Sequence, residues 1–242
     1  MTLNLSPEVL SRRVFRQDLL NLHIKEFMLG QTARFLDSEM VAIDIGAAVG
    51  MYSFFWAQHC KEVHSFEAVP PVYDQLLLVA NQQENVIPHN LAVGAMSGKA
   101  SFFVDDKRLS NSGFTDLVGG QEIVVSTTTV DAQELFNVGF IKVDVEGHEL
   151  EVLRGAEKTI DQQRPVCMVE VYPKFNQGPV DETFKFFLLK SYSVFFNIRG
   201  VGLQKCQGLT NCVKTAEDEA MISMHDGDFL FVPDELVDGY FS

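Results

Sequence analysis

Short strand-like runs alternate along this chain with stretches in which apolar residues return every three or four positions. Residues 41–45, 63–66 and 86–93 are of the first kind and read as strands, whereas 51–59 and 72–82 are of the second and read as helices. Strands without in-and-out alternation are buried on both faces, and a helix between successive strands is the usual crossover of a parallel pair. The pattern therefore predicts an α/β unit with a mostly parallel sheet. It resumes with 140–145 as a central strand, 149–160 as a helix carrying Leu150, Leu153, Ala156 and Ile160 near one face, and 166–171 as a strand introduced by Pro165.

Two regions depart from this rhythm. Residues 100–104 and 122–130 are rich in Phe, Val and Thr and flank a polar stretch, 105–121, that holds Ser110-Asn111-Ser112-Gly113 and Gly119-Gly120. They are expected to form an inserted strand pair with a mobile loop between, a place where binding residues collect. After a helix at 181–190, the runs 192–197, 200–206 and 229–232 are expected to be antiparallel strands at a sheet edge. Near the N-terminus, Ser6-Pro7 has the form of a helix start, and Val14, Leu19, Leu22, Phe27 and Leu29 suggest one or two helices. The expected organisation is a helical cap over residues 1–38 and one domain over 39–242, with no repeat or linker-like run.

Composition narrows the partners. A chain of 242 residues with 46% hydrophobic content can bury one substantial core. A formal charge of -14 repels phosphate backbones, so no nucleic-acid partner is expected. Residues 40–57 are apolar enough to raise the question of a membrane span, but Asp44 would cost roughly 2.5–3.5 kcal/mol there. No membrane partner is expected, and with no compact leader-like core near the N-terminus the expected location is cytoplasmic. Cys60, Cys167, Cys206 and Cys212 show neither a Cys-x-x-Cys pair nor zinc spacing and read as free thiols.

The most informative segment is Val41-Ala42-Ile43-Asp44-Ile45-Gly46-Ala47-Ala48-Val49-Gly50, a strand ending in an acid and a loop with almost no side chains. Such a loop lets a ligand lie against bare backbone at the carboxyl edge of a sheet. A dinucleotide site requires Gly-x-Gly-x-x-Gly, and the loop holds only Gly46 and Gly50 with Ala48 between them. Glu67 closes the next strand, where a carboxylate can accept both hydroxyls of a ribose.

The Asp44-to-Gly50 segment resembles the first motif of class I S-adenosylmethionine-dependent methyltransferases, with Ala48 in place of the middle glycine. Further stretches make the resemblance narrower: Phe66-Glu67-Ala68, Asn90-Leu91-Ala92-Val93-Gly94, Thr128-Thr129-Val130-Asp131, the run from Phe140 through Asp144-Val145-Glu146-Gly147-His148-Glu149 to Ala156, Val169-Glu170-Val171, and Phe229-Leu230-Phe231-Val232-Pro233. Together they look like the FkbM-type methyltransferases, over roughly 41–173 plus the tail. The region between Pro173 and Asp228 matches nothing distinctive, and Ala68-Val69-Pro70 departs from the more usual Pro-Asn after the ribose acid.

The resemblance implies a three-layer Rossmann-like methyltransferase fold with a mostly parallel central sheet, antiparallel edge strands and the N-terminal helical cap. It implies S-adenosylmethionine as cofactor and methylation of a hydroxyl on a sugar or polyketide-like small molecule. Asp44, Gly46, Ala47 and Gly50 would border the methionine portion, Glu67 the ribose, and Asn90, Leu91 and Ala92 the adenine. Asp144 would lie beside the reacting methyl.

Methyl transfer to a hydroxyl needs a positioned acceptor and a base, for which Asp144, His148 and Glu170 are the candidates. Lys142 and Asp144 lie on one face of their strand, and Lys142 is expected to meet a carboxylate such as Glu170 or Glu146. The acids Asp144, Glu146, Glu149 and Glu170 can gather a divalent cation, although their spacing does not demand one and no metal ligand is assigned. Phe102, Phe103, Phe114 and Tyr172 are candidate pocket residues, core packing being the alternative for each. Two other readings stay open: a nucleotide-cofactor oxidoreductase of the NAD type and a cofactor-binding module without catalysis. The sequence leaves the oligomeric state undetermined.

Overall fold

The computed structural model describes residues 28–104, 112–114, 120–173, 179–198, 201–218 and 227–241. The sequence reading at 1–27, and within the polar stretch at 105–111 and 115–119, lies outside the described residues. The first strand, β1 (Val41–Ile45), is buried at every position. Its alternate residues serve opposite layers: Val41, Ile43 and Ile45 join one apolar cluster, and Ala42 the other. That double burial is why the segment lacks polar alternation.

The crossovers follow as expected: α1 (Met51–Trp56), β2 (Glu62–Phe66), α2 (Pro70–Ala80) and β3 (Val86–His89). Residues 86–93 are not one strand, however. The chain turns at Asn90, whose side-chain amide donates to the carbonyls of Glu67 (2.9 Å) and Ala68 (3.2 Å), and leaves the main sheet for β4 (Ala92–Val93). There β4 runs parallel to β6 (Gln121–Thr128), which pairs antiparallel with β5 (Gly98–Val104) in a separate three-stranded sheet.

The chain returns through β7 (Val138–Val143). The helix predicted over 149–160 is two, α3 (Glu149–Arg154) and α4 (Glu157–Gln163). A side chain at Gly155 would collide with the Gly94 carbonyl, so the helix surface must yield where the β4 connection crosses it. Asp131 then caps the second helix from outside, its carboxylate accepting from the N–H groups of Lys158 (3.1 Å) and Thr159 (2.8 Å).

Next come β8 (Val166–Glu170), α5 (Asp181–Leu188), β9 (Tyr192–Ile198), β10 (Gly202–Cys206), α6 (Gly208–Glu217), β11 (Asp228–Pro233) and α7 (Val237–Phe241). The eight-stranded sheet has the order β10-β9-β11-β8-β7-β1-β2-β3. Its last five strands in that order are parallel; β11 is antiparallel to both β8 and β9, and β9 to β10. The expected antiparallel edge is therefore present.

One layer over the sheet centres on Phe184, Phe187, Phe229 and Phe231. The opposite layer centres on Trp56, Phe35 and Phe140, and Met28 and Leu29 are buried in it. The Trp56 indole donates to Thr32 Oγ1 at 2.9 Å, so the described end of the N-terminal region is fastened into the main core. Among the described residues no helix is long and apolar enough to cross a membrane.

Candidate active site

Strand order fixes where a ligand can enter. The chain winds from β1 outward through β2 and β3, then crosses back to β7 and β8 on the other side, so a crevice opens between the carboxyl ends of β1 and β7. The small-residue loop lies at this switch point. Gly46 and Ala47 N–H groups both donate to the Phe66 carbonyl, at 3.0 and 2.9 Å, tying the loop to the end of β2.

Gly46 has φ +72°, and a side chain on it would run into the Asp144 carbonyl. Its smallness thus serves the approach of β1 to β7. Gly50, at φ +82°, lies against Leu76 and Val79 of α2 and serves helix packing. Ala48, standing at the middle-glycine position, adopts φ +48°, a left-handed conformation that glycine takes at less cost.

Glu67 points back at this loop. Its Oε2 accepts the Ala48 N–H at 3.1 Å and its Oε1 the Val69 N–H at 2.7 Å, in a site where the residue is only 9% exposed. Burial raises its pKa to about 7, against the lowering effect of the two N–H donors and Lys142. Beyond it, His89 stacks on Phe66 with 4.4 Å between ring centroids, and its Nε2 lies 3.1 Å from His64 Nδ1. Burial lowers the His89 pKa to about 4, so this pair is neutral at pH 7. Asn90 spends its amide on backbone carbonyls; Leu91 is half-buried and Ala92 is buried.

A buried polar chain supports the loop from below. Ser65 Oγ donates to Ser53 Oγ at 2.8 Å, Ser53 Oγ to Asp44 Oδ2 at 2.6 Å, and Lys142 Nζ lies 3.4 Å from Asp44 Oδ1 and 3.2 Å from Asp144 Oδ2. Lys142 also donates to the Gly46 carbonyl at 3.2 Å. The expected partners Glu170 and Glu146 are thus replaced by Asp44 and Asp144. Register explains it: Asp44 is the direct neighbour of Lys142 across β1 and β7, whereas the neighbour on β8 is Met168. Asp44 is fully buried, so only Lys142 and the loop stand between it and the crevice. Ser53 and Ser65 were not singled out from the sequence, since two serines among apolar residues carry no pattern.

The loop after β7 gathers the acids. One oxygen each from Asp144, Glu146 and Glu170, all half-buried, lies within 4.8 Å of the others. Glu149, which is 2% exposed, holds the loop by accepting the N–H groups of Val145 (3.3 Å) and Gly147 (2.9 Å) with Oε1. Burial raises its pKa to about 7, and raises that of Glu170 well above the carboxylate range with help from Asp144, Glu146, Asp228 and Glu149. His148 begins α3, with its ring 4.3 Å from that of Phe114, and burial lowers its pKa.

Phe114 in turn meets Phe102 of β5 edge-on at 5.2 Å, so the described part of the insert roofs the acidic loop. Of the candidate bases, Asp144 and Glu170 share the acid group, while His148 lies under the insert.

Three strands and their connecting loops thus make the crevice of a doubly wound α/β protein. The Methyltransferase FkbM domain model matches residues 44–194, and the chain belongs to that family. It is 26% identical over 159 residues to the hexuronic acid methyltransferase AglP of Haloferax volcanii, covering 64% of this chain and 62% of that protein. In structure it resembles methyltransferase FkbM from Methylobacillus flagellatus KT, with a TM-score of 0.52 and 16% identity over 94% of this chain and 56% of that one. The chain therefore spans less than two thirds of the length of either relative. This resemblance supports the fold expected from the sequence, and none of these three findings supports the oxidoreductase alternative.

Proposed function

We propose that this chain transfers the methyl group of S-adenosylmethionine to a hydroxyl of a sugar or related small molecule. The observation that carries the reading is the meeting, at one switch point, of a side-chain-poor loop, the strand-end acid Glu67 turned toward it, and Asp144 across the crevice. The name of the Haloferax relative favours a sugar of the hexuronic acid class as acceptor. A cytoplasmic location belongs to the same proposal.

The donor set fits the cofactor. Gly46 and Ala47 keep bulky side chains away from its amino-acid portion, Glu67 accepts from ribose hydroxyls, and the Asn90–Ala92 turn borders the base. The cofactor, when bound, supplies an electrophilic methyl. The protein must then align the acceptor oxygen, keep water out and receive the hydroxyl proton. Asp144 has a side chain 20% exposed and one oxygen held by Lys142, which makes it the first candidate base. His148, neutral at pH 7, and Glu170 are the helpers.

The test is a cofactor comparison followed by an acceptor panel. S-adenosylhomocysteine should raise the melting temperature and NADH should not; with S-adenosylmethionine, a hexuronic-acid-bearing sugar should gain one methyl by mass spectrometry. Stabilisation by NADH alone would overturn the reading. Cofactor binding with no methylation across neutral and acidic sugars would leave a binding module instead.

A further inference from the structure

We propose that Asp144, Glu146 and Glu170 together bind one divalent cation of the magnesium or manganese type at the rim of the crevice. Each offers a carboxylate oxygen within 4.8 Å of the other two, the donor chemistry of a hard oxygen-seeking ion. Glu146 and Gly147, at φ +55° and +97°, turn the chain so that acids from β7 and β8 face one point. Asp228 adds a further carboxylate as the cross-strand neighbour of Glu170 on β11.

A second feature points to a ligand independently of the cluster. Glu149 is 2% exposed, its Oε1 is used by the loop N–H groups, and its Oε2 is buried without a hydrogen-bond donor among the described residues. The same carboxyl is tied by the Val145 and Gly147 N–H groups to the turn that carries Asp144 and Glu146, which sets it beside the proposed ion. A buried carboxylate oxygen left without a donor is costly. A hydrated cation held by the three acids supplies both the missing donor, through a coordinated water, and the positive charge. Lys142 cannot supply that charge alone, because it is shared between Asp44 and Asp144.

The role of the ion rests on the methyl-transfer reading, whereas its binding does not. In that reaction the cation would hold the acceptor oxygen and lower its proton affinity, and would let an anionic sugar approach a chain of formal charge -14.

The experiment titrates the full chain with Mn2+ and follows the free ion by electron paramagnetic resonance, with S-adenosylhomocysteine binding measured by calorimetry on the same samples. One equivalent of Mn2+ should bind with sub-millimolar affinity and be displaced by Mg2+. Glu146→Gln and Glu170→Gln should each weaken it tenfold or more, while Glu122→Gln on the exposed β6 should not. Circular dichroism checks the fold, and should Glu170→Gln fail to fold, Glu146→Gln carries the comparison. Absence of wild-type binding at millimolar Mn2+, or unchanged affinity in a folded cluster variant, overturns the site. If S-adenosylhomocysteine still binds in that case, only the ion is lost; if neither binds, the functional reading falls as well.

Discussion

A charge held out of water must be answered by another, and at Lys142 one ammonium answers two acids. Asp44 is fully buried, and its remaining partner besides Lys142 is the Ser53 hydroxyl. Lys142→Met keeps the apolar stem but strands Asp44, so it should destabilise the fold by about 3 kcal/mol in urea unfolding. A loss below 1 kcal/mol would mean that the carboxyl finds water or a proton at little cost.

Glu67 is poised differently. Burial has pushed its pKa up to about 7, yet ribose hydroxyls are best accepted by the ionised form. Affinity for S-adenosylhomocysteine should therefore rise from pH 6 to 8 and level off above. Glu67→Gln should bind tenfold or more weaker and lose that pH dependence in calorimetry. A residue type and a strand end were enough to nominate Glu67 from the sequence, because the role needs only a carboxylate at the tip of the second strand. The partners of Lys142 were not legible, since they depend on which strands are adjacent and in what register.

At the scale of elements, hydrophobic periodicity reported the main strands and the crossover helices, but neither α6 nor α7 nor where one element gives way to another. The 149–160 stretch keeps its apolar face through Gly155, so pattern alone joins α3 to α4. What divides them comes from elsewhere in the chain: the Gly94 carbonyl pressed against Gly155 and the Asp131 carboxylate capping α4. Likewise 86–93 reads as one strand-like run, and its break depends on Asn90 bonding to the loop after β2.

This makes a prediction of sign. Gly155 has an ordinary helical φ of -76°, so Gly155→Ala carries no backbone strain and its cost is the collision with Gly94. It should destabilise by about 2 kcal/mol. Gly30 is exposed in the helical turn at 28–32, and a methyl group added to it would meet nothing within 4 Å among the described residues. The same change there should gain about 0.5–1 kcal/mol. Equal effects at both sites in thermal unfolding would show that contact with Gly94 is not what ends α3.

Across the whole molecule, burial sets carboxyls and imidazoles against each other in their response to pH. Glu67 and Glu149 are raised from 4.5 to about 7 in the folded state, so the stability linked to each is fully present below 4.5 and lost as pH rises through 7. His64, His89 and His148 are lowered from 6.5, His89 to about 4, so their contribution is present above 6.5 and lost as pH falls toward the folded value. Between pH 4.5 and 6.5 the two sets oppose one another. From 6.5 to 8 the unfolded-state histidines, half charged at 6.5, still lose protons and so offset part of the carboxyl effect.

In the ligand-free, metal-free protein in EDTA, Glu67 and Glu149 should each cost about 1 kcal/mol of stability over that interval, or roughly 2–4 °C in melting temperature per kcal/mol, a share read by comparison with the Glu→Gln variant. Glu67→Gln should remove its own share of the slope and leave that of Glu149. Saturation with S-adenosylhomocysteine should remove the same share in the wild type, because a carboxylate already ionised on the ligand has no proton left to lose. A slope from pH 6.5 to 8 that Glu67→Gln leaves unchanged would mean that Glu67 is ionised in the free protein and that the crevice is wetter than its 9% exposure implies.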